Sequence, residues 1–443
     1  MGRSITGFRK WLYLGLGIKR WLLLLLVGTI ILGVGFAYLF YDLYISTLVF
    51  SPVWRTLTLS FLPRWARILA IGLVGLGLVA VAVYQLNRSL LSAFLPAGRV
   101  SVVDTVYRHR QRQKGPKVVV LGGGNGLGTL LRGLKYYTDH ITAIVTVADD
   151  GGSSGRLRRE WGTLPPGDFR NCIAALADDE ALTTQLFQYR FPSISPSPEN
   201  GQTLEGHSFG NLFIIALAAV TGSFEKALIE AGRVLAVKGQ ILPSTLRNVT
   251  LSADVMDGPA GVWRVTGESA IPEVRKPIER VYLEPSEAPA YPAALRAILD
   301  ADFLIAGPGS LYTSVLPNLL VDDIARAVRA SEALKVYVCN VATQRGETED
   351  YTVAHHVRAI EQHTEPLLFP CVLANGNVSD KPEKNWNFAQ VKLGDGTIAA
   401  LSSYEFFMAD IVDEDRPWRH DPDKLARALF EKYEEFVRKS DFV

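Results

Sequence analysis

Five glycines fall within the seven residues Gly122 to Gly128, directly after the apolar run Lys117-Val-Val-Val-Leu121. A short β-branched run of this kind reads as a buried parallel strand. The glycines then demand a turn in which no Cβ crowds the backbone, and Thr129 to Tyr137 reads as a helix. Strand, glycine turn and helix together aim backbone N–H groups and a helix N-terminus at a phosphate. Gly123, Gly124, Asn125 and Gly126 are therefore the first candidate ligand contacts. A tight turn without a ligand is the alternative. The spacing is not the dinucleotide fingerprint, because Leu127 or Thr129 stands where its third glycine belongs, and no Walker lysine follows. A nicotinamide dehydrogenase is thereby disfavoured.

The same junction recurs along the chain. Ile141 to Ala148 reads as a second strand and ends on Asp149-Asp150-Gly-Gly-Ser-Ser-Gly155. Ligands of doubly wound sheets sit beyond the strand carboxyl ends, where an acid accepts from ribose hydroxyls or holds Mg²⁺ beside a phosphate. Asp149, Asp150, Ser153 and Ser154 are candidates on that ground, against a solvated loop with capping side chains. In Pro165-Pro-Gly-Asp-Phe-Arg-Asn171, Asp168 either caps the next helix or reaches the ligand, and Asn171 lies beside it. Gly206-His-Ser-Phe-Gly-Asn-Leu212 opens an apolar helix; His207 and Asn211 read as ligand contacts or as structural hydrogen-bonding groups. Asp302 to Ala306 resumes a strand and runs into Gly307-Pro-Gly-Ser310, giving Gly307, Gly309 and Ser310. Lys335 to Asn340 is another strand, followed by Thr343 and Gln344, neutral groups suited to a base or to sugar hydroxyls. Four strand ends with polar, glycine-rich turns make one shared ligand site the economical reading.

Composition excludes several classes. The formal net charge is +1, so no field favours nucleic acid. Cys172, Cys339 and Cys371 are odd in number and at least 32 residues apart, which argues against a disulfide framework or a CxxC metal pair and for a reducing compartment. No Ser-His-Asp order, HExxH, EF-hand loop or nucleophile elbow is present.

Two uncharged runs precede this domain. Trp21 to Phe40 follows a tail with five basic residues and no acid; Ile68 to Asn87 lies between Arg67 and Arg88. Twenty residues at a rise of about 1.5 Å give about 30 Å, the thickness of the hydrocarbon core. The layout predicted is a basic tail (1–20), a transmembrane helix (21–40), an external connector (41–67), a second transmembrane helix (68–87) and a basic linker (88–115). Basic residues crowd both outer flanks, which places both ends and the main domain in the cytoplasm, on the inner membrane. The main domain, 116–443, is expected to be a Rossmann-like α/β unit with a mostly parallel sheet. It carries a β-rich insertion at 241–287 and a C-terminal extension at 379–443.

The runs GGGNGLGTLLRGL, TAIVTVADDGGSSGRLR, PPGDFRN, GHSFGNL, GPGSLYTSVLPNLL and VCNVATQRGETEDYT resemble, in this order, the bacterial gluconeogenesis-factor family known as YvcK. That family belongs to the CofD-like superfamily of 2-phospho-L-lactate transferases. The resemblance is dense over 117–378 and returns at Trp418-Arg-His-Asp421. It implies a domain that binds a UDP-sugar such as UDP-N-acetylglucosamine, and a role in cell shape and wall synthesis during growth on gluconeogenic carbon. Cell-wall synthesis proteins, and a second copy of the chain, are the partners such a regulator would take. The transferase branch instead moves a phospholactyl group from a nucleotide carrier with Mg²⁺. Here PPGDFRN keeps one acid, Asp168, where that branch carries a more acidic run, so a non-catalytic regulator is favoured and a nucleotide-dependent transferase is the alternative. The two apolar runs depart from the usual soluble members. Finally, Leu425 to Val437 has a 3.6-residue apolar period. Its return to the domain would bring Arg419 to the ligand phosphates; an ion pair with Asp421 or Asp423 is the alternative.

Overall fold

The computed structural model describes residues 19–44, 63–91, 112–178, 180–192, 204–258, 261–378, 388–394 and 401–440. Most of the expected tail, connector and basic linker lies outside these residues. The chain divides into two compact units, 1–108 and 109–443.

The first unit is a pair of helices, α1 (Lys19–Tyr44) and α2 (Arg64–Leu91). They approach through small residues. A Cβ on Gly28 would lie 3.1 Å from the Val79 side chain, and one on Gly75 would lie 2.7 Å from that of Leu32. Large apolar side chains point away from this seam, Leu23 and Leu73 among them. The apolar stretches with described side chains are Leu23–Ala37 and Gly72–Leu86; among the described residues no single helix is long and apolar enough to cross a membrane.

The second unit is built on a seven-stranded sheet. Its strands are β1 (Val118–Gly122), β2 (Ile141–Val145), β3 (Gln240–Pro243), β7 (Phe303–Ala306), β8 (Leu334–Val338), β9 (Cys371–Asn375) and β10 (Glu405–Ala409). Strands β4 (Thr250–Met256), β5 (Val262–Thr266) and β6 (Ile278–Glu284) form a separate antiparallel sheet in the order β5-β4-β6. In the large sheet the order is β10-β9-β8-β7-β1-β2-β3 and every pairing is parallel. Val118 pairs with Ile141 on one side and with Phe303 on the other. The order reverses between β1 and β7, which opens a crevice at their carboxyl ends, the place where doubly wound sheets bind ligands. β1, β2, β7 and β9 are buried along their whole length, as a parallel sheet covered on both faces requires. The three cysteines are free and buried.

Four expectations shift. The helix after β1, α3 (Gly124–Leu134), starts inside the glycine turn, not at Thr129. Likewise Gly152, Ser153 and Ser154 are the first turn of α4 (Gly152–Trp161), not a loop. The region 241–287 is not one insertion: Ile241 and Leu242 belong to β3, which pairs with β2, and the small sheet begins only at Thr250. The C-terminal extension at 379–443 is also not separate from the sheet, because its strand β10 pairs with β9. A ten-residue helix, α5 (Gly167–Leu176), and α6 (Phe209–Thr221) flank the β2 side.

The last helix, α7 (Pro422–Ser440), returns to the domain. Phe430 stacks on Tyr137 at 4.3 Å and Tyr433 on Phe303 at 5.4 Å. Gly133 permits the approach: a Cβ there would stand 2.0 Å from the carbonyl oxygen of Pro422.

Candidate functional site

A cavity of about 540 Å³ lies over the carboxyl ends of β1, β7 and β8, within the size range of small-ligand sites. Its floor is two glycine turns pressed together. Gly124 takes φ +62, a left-handed conformation that side chains resist. Gly126 is fixed by packing, since a Cβ there would stand 2.5 Å from the carbonyl oxygen of Pro308. The turn Gly307–Ser310 is clamped from β8: Asn340 donates from Nδ2 to the Gly309 carbonyl at 2.8 Å, and its Oδ1 accepts from the Gly309 N–H at 3.2 Å. Beneath them Asn318 donates to the Gly122 carbonyl at 3.0 Å. The first-turn N–H groups of α3 have no intrahelical acceptors and stand at the cavity floor, the arrangement that suits an anion.

Carboxylates border this floor on the β2 side. Asp168 accepts the Gly124 N–H, yet burial and the charge of Asp149 push its carboxyl up to about 7. It leaves no room for a side chain at Gly123, where a Cβ would stand 2.6 Å from its Oδ2. Burial likewise raises Asp149, against the N–H of Gly151 and the Ser154 hydroxyl. Glu268, in the turn after β5, is pushed up to about 8 by burial and by Asp149 and Asp168. Like charges gathered near an anion-binding turn call for protons, a cation or ligand hydroxyls to settle them.

The β8 side is neutral and aromatic. Ser310 donates to Gln344 Oε1 at 2.7 Å; Gln344 Nε2 in turn donates to buried Glu347 at 2.9 Å. Burial raises Glu347 to about 7, and the Thr313 hydroxyl and local N–H groups pull it back. Thr343 holds the segment Phe388–Leu393 through a 2.7 Å backbone bond to Ala389. The rings of Phe388 and Trp418 meet at 5.3 Å. Arg419 and His420 complete this wall.

Of the residues expected at the site, Gly123, Gly124, Asn125, Gly126, Asp149, Asp168, Gly309, Ser310, Asn340, Thr343, Gln344 and Arg419 line the cavity. The rest do not. Ser153, Ser154, His207 and Asn211 form a buried cluster behind it: the Ser153 hydroxyl lies 3.0 Å from His207 Nδ1 and accepts from Asn211 Nδ2 at 3.0 Å. They join the first turns of α4 and α6. Asp150 accepts the Ser269 N–H at 2.9 Å and ties the small sheet to β2. Asn171 accepts from Arg170 at 2.9 Å. Gly307 makes the strand exit, with φ +78 and a 2.9 Å bond to the Leu121 carbonyl. Arg419 is exposed and forms no ion pair with Asp421, whose Oδ1 instead caps α7 through the N–H groups of Asp423 and Lys424. Thr146, Glu268, Arg345, Phe388 and His420 line the cavity without having been singled out. His420 carried a signal in its place beside Arg419 in the C-terminal motif, and Thr146 and Arg345 lie within the runs TAIVTVADDGGSSGRLR and VCNVATQRGETEDYT.

The family model described as 2-phospho-L-lactate transferase CofD matches residues 118–412. The chain belongs to the CofD family. Within that family it is similar to proteins bearing the gluconeogenesis-factor name. A Nostoc sp. protein named "Putative gluconeogenesis factor" is 45% identical over 453 residues, with 97% of this chain and 95% of the relative covered. The gluconeogenesis factor of Bacillus subtilis is 44% identical over 324 residues, covering 72% of this chain and 99% of itself. A solved Bacillus halodurans protein gives a TM-score of 0.65 at 43% identity, with 71% of this chain and 99% of that one covered. The Nostoc match therefore reaches into the first unit, whereas the two Bacillus proteins leave over a quarter of this CofD-family chain unmatched.

Proposed function

We propose that the cavity binds a nucleotide-activated sugar of the UDP-N-acetylglucosamine type and that the chain acts as a regulator, in keeping with the gluconeogenesis-factor relatives, on cell shape and wall synthesis. The observation that carries the reading is the meeting of two glycine turns, Gly123–Gly126 and Gly307–Ser310, at the switch point of the sheet. Backbone N–H groups there suit a diphosphate, Arg419 supplies a positive fork, and the flanking hydroxyls and amides suit sugar and base. Calorimetry of the full chain against nucleotides and nucleotide sugars tests this. UDP-N-acetylglucosamine should bind without turnover; no binding by any of them would overturn the reading.

A second reading, a nucleotide-dependent transferase, is favoured by the description of the family model and by the three carboxylates Asp149, Asp168 and Glu268. A product formed from a nucleotide-activated donor, seen by mass spectrometry, would establish it. Among the described residues no group of three or more acid, histidine or cysteine side chains is placed to hold a metal.

We further propose that the helix pair anchors the chain in the cytoplasmic membrane, with both ends and the main domain inside. The uncharged runs, the basic flanks and the outward-facing leucines support it.

A further inference from the structure

His420 is 8% exposed, lines the cavity, and has no hydrogen-bond partner on either ring nitrogen. Every other described histidine has a partner at 3.1 Å or closer: His140 on Gln113, His207 on Ser153, His355 on Thr352, His356 on Thr352, and His363 on Ala359 and Val281. An imidazole buried with both nitrogens unbonded is costly, because each has lost water without gaining a partner. Its position is not loose. The residue closes a turn: it forms an isolated antiparallel bridge with Val412, and Asp421 donates its N–H to the Ile411 carbonyl at 2.9 Å. The backbone bonds thus hold an imidazole with two unsatisfied ring nitrogens in the cavity wall that also holds Phe388 and Trp418.

The chemistry of the missing partner is constrained. Burial pushes the His420 ring down to about 3, so it is neutral at physiological pH, one nitrogen donating and the other accepting. A neutral imidazole without a countercharge is a poor phosphate ligand, and Arg419 next to it supplies the cation. The ring instead suits a group that both gives and takes a hydrogen bond.

We propose that His420 reads an uncharged hydroxyl or amide group of the bound ligand, on the β8 side of its phosphates. The proposal rests on the nucleotide-sugar reading above. Such a group belongs to the sugar or to the base, and two ligands separate these sources. The full chain and its H420F variant, which keeps a ring but loses both nitrogens, are titrated by calorimetry with UDP-N-acetylglucosamine and with UDP. A loss of at least tenfold in affinity for the nucleotide sugar, with UDP changed less than threefold, places the group on the sugar. An equal tenfold loss for both places it on the base or ribose. Parent-like affinity of H420F for both overturns the proposal while leaving the nucleotide reading intact. Absence of binding by the parent overturns the reading and the proposal with it. If H420F fails to fold, ¹⁵N resonances of the His420 ring in the parent decide: a shift of either nitrogen on adding the nucleotide sugar supports the assignment, and no shift overturns it.

Discussion

The two units place their apolar side chains on opposite sides of the backbone. In the second, Val118 to Leu121 and Phe303 to Ala306 lie in the sheet centre at 0–2% exposure. In the first, small residues, Gly28, Gly75 and Ala82, occupy the buried seam, while Leu23, Phe36 and Leu73 stand 60–64% exposed. Burial of apolar area yields about 25 cal/mol per Å² in water, so a water-soluble pair of helices would turn its leucines inward. An interface of small residues with an apolar exterior is the packing that helices adopt in lipid, where hydrophobicity no longer drives association and close backbone approach does. If the helix pair is anchored as proposed, the two units obey the same energetics in different solvents.

The sharpest way to break this comparison is partition. The full chain should sediment with membranes and stay there through an alkaline carbonate wash. Reporters fused at positions 1 and 100 should be cytoplasmic, and a cysteine placed at position 50 should label from outside. Recovery of the chain in the carbonate supernatant would mean that the outward leucines meet protein, not lipid.

Glycines give the next largest effect. Both Gly75 and Gly126 mark close approaches, but what they meet differs. A Cβ at Gly75 meets the Leu32 side chain at 2.7 Å, which can swing aside; one at Gly126 meets the Pro308 carbonyl oxygen at 2.5 Å and the Gly309 Cα at 2.9 Å. Gly126→Val should cost about 3 kcal/mol, at the upper end of overpacking, and lower the melting temperature without any ligand. Gly75→Ala should cost under about 1 kcal/mol. Equal melting shifts would show that the glycine turns are as compliant as the helix seam.

What was legible in the sequence was the logic of strand ends. The apolar runs around Val119, Ile144, Ile305 and Tyr337 each enter a polar turn, and the parallel sheet brings the ends of β1, β7 and β8 to one cavity. What was not legible was depth. Ser153, His207 and Asn211 have the residue types of a ligand site, but Ser153 in the first turn of α4 and His207 and Asn211 at the start of α6 are buried and bond to one another. Glu268 was invisible because it lies in the turn after β5, and no local pattern encodes that the small sheet carries this turn to the cavity. Strand β10 was missed for a related reason: it is an edge strand, only partly buried, and no glycine-rich turn follows its short apolar run Phe406–Ala409.

Charge placement offers the third test. In the first unit the sequence keeps charge out of the apolar stretches; in the second, charged groups converge on the cavity. Arg419→Ala should weaken UDP-N-acetylglucosamine binding by about 1.5–3 kcal/mol, the scale of a charge-assisted contact. Because Arg419 makes no ion pair among the described residues, the melting temperature of the ligand-free chain should not move. A variant that binds like the parent but melts earlier would show that Arg419 supports the C-terminal strand and does not touch ligand.

The smallest expected effect comes from Asp168, and its sign is opposite to that of most substitutions in a buried site. Its carboxyl is pushed up to about 7 by burial and by Asp149, despite the Gly124 N–H and the Arg170 charge. A raised acid means that the folded state holds a proton which the unfolded chain has already released. Stability therefore falls as pH rises from about 4, the unfolded value, through about 7, and the full penalty persists above that. Glu268, pushed up to about 8, extends the decline upward. Asp168→Asn removes one charge, and its amide oxygen still accepts the Gly124 N–H. At pH 8 the ligand-free variant should be more stable than the parent by on the order of 1–2 kcal/mol, well below the unscreened value of the shift because solvent reaches the cavity. At pH 4.5 the two should melt together, since the parent is then protonated as well. Chemical denaturation at both pH values measures this. A variant that is less stable at pH 8 would mean that the charged carboxylate organises the glycine turn through Gly124, and that the acids around the cavity are held in place by contacts stronger than their mutual repulsion.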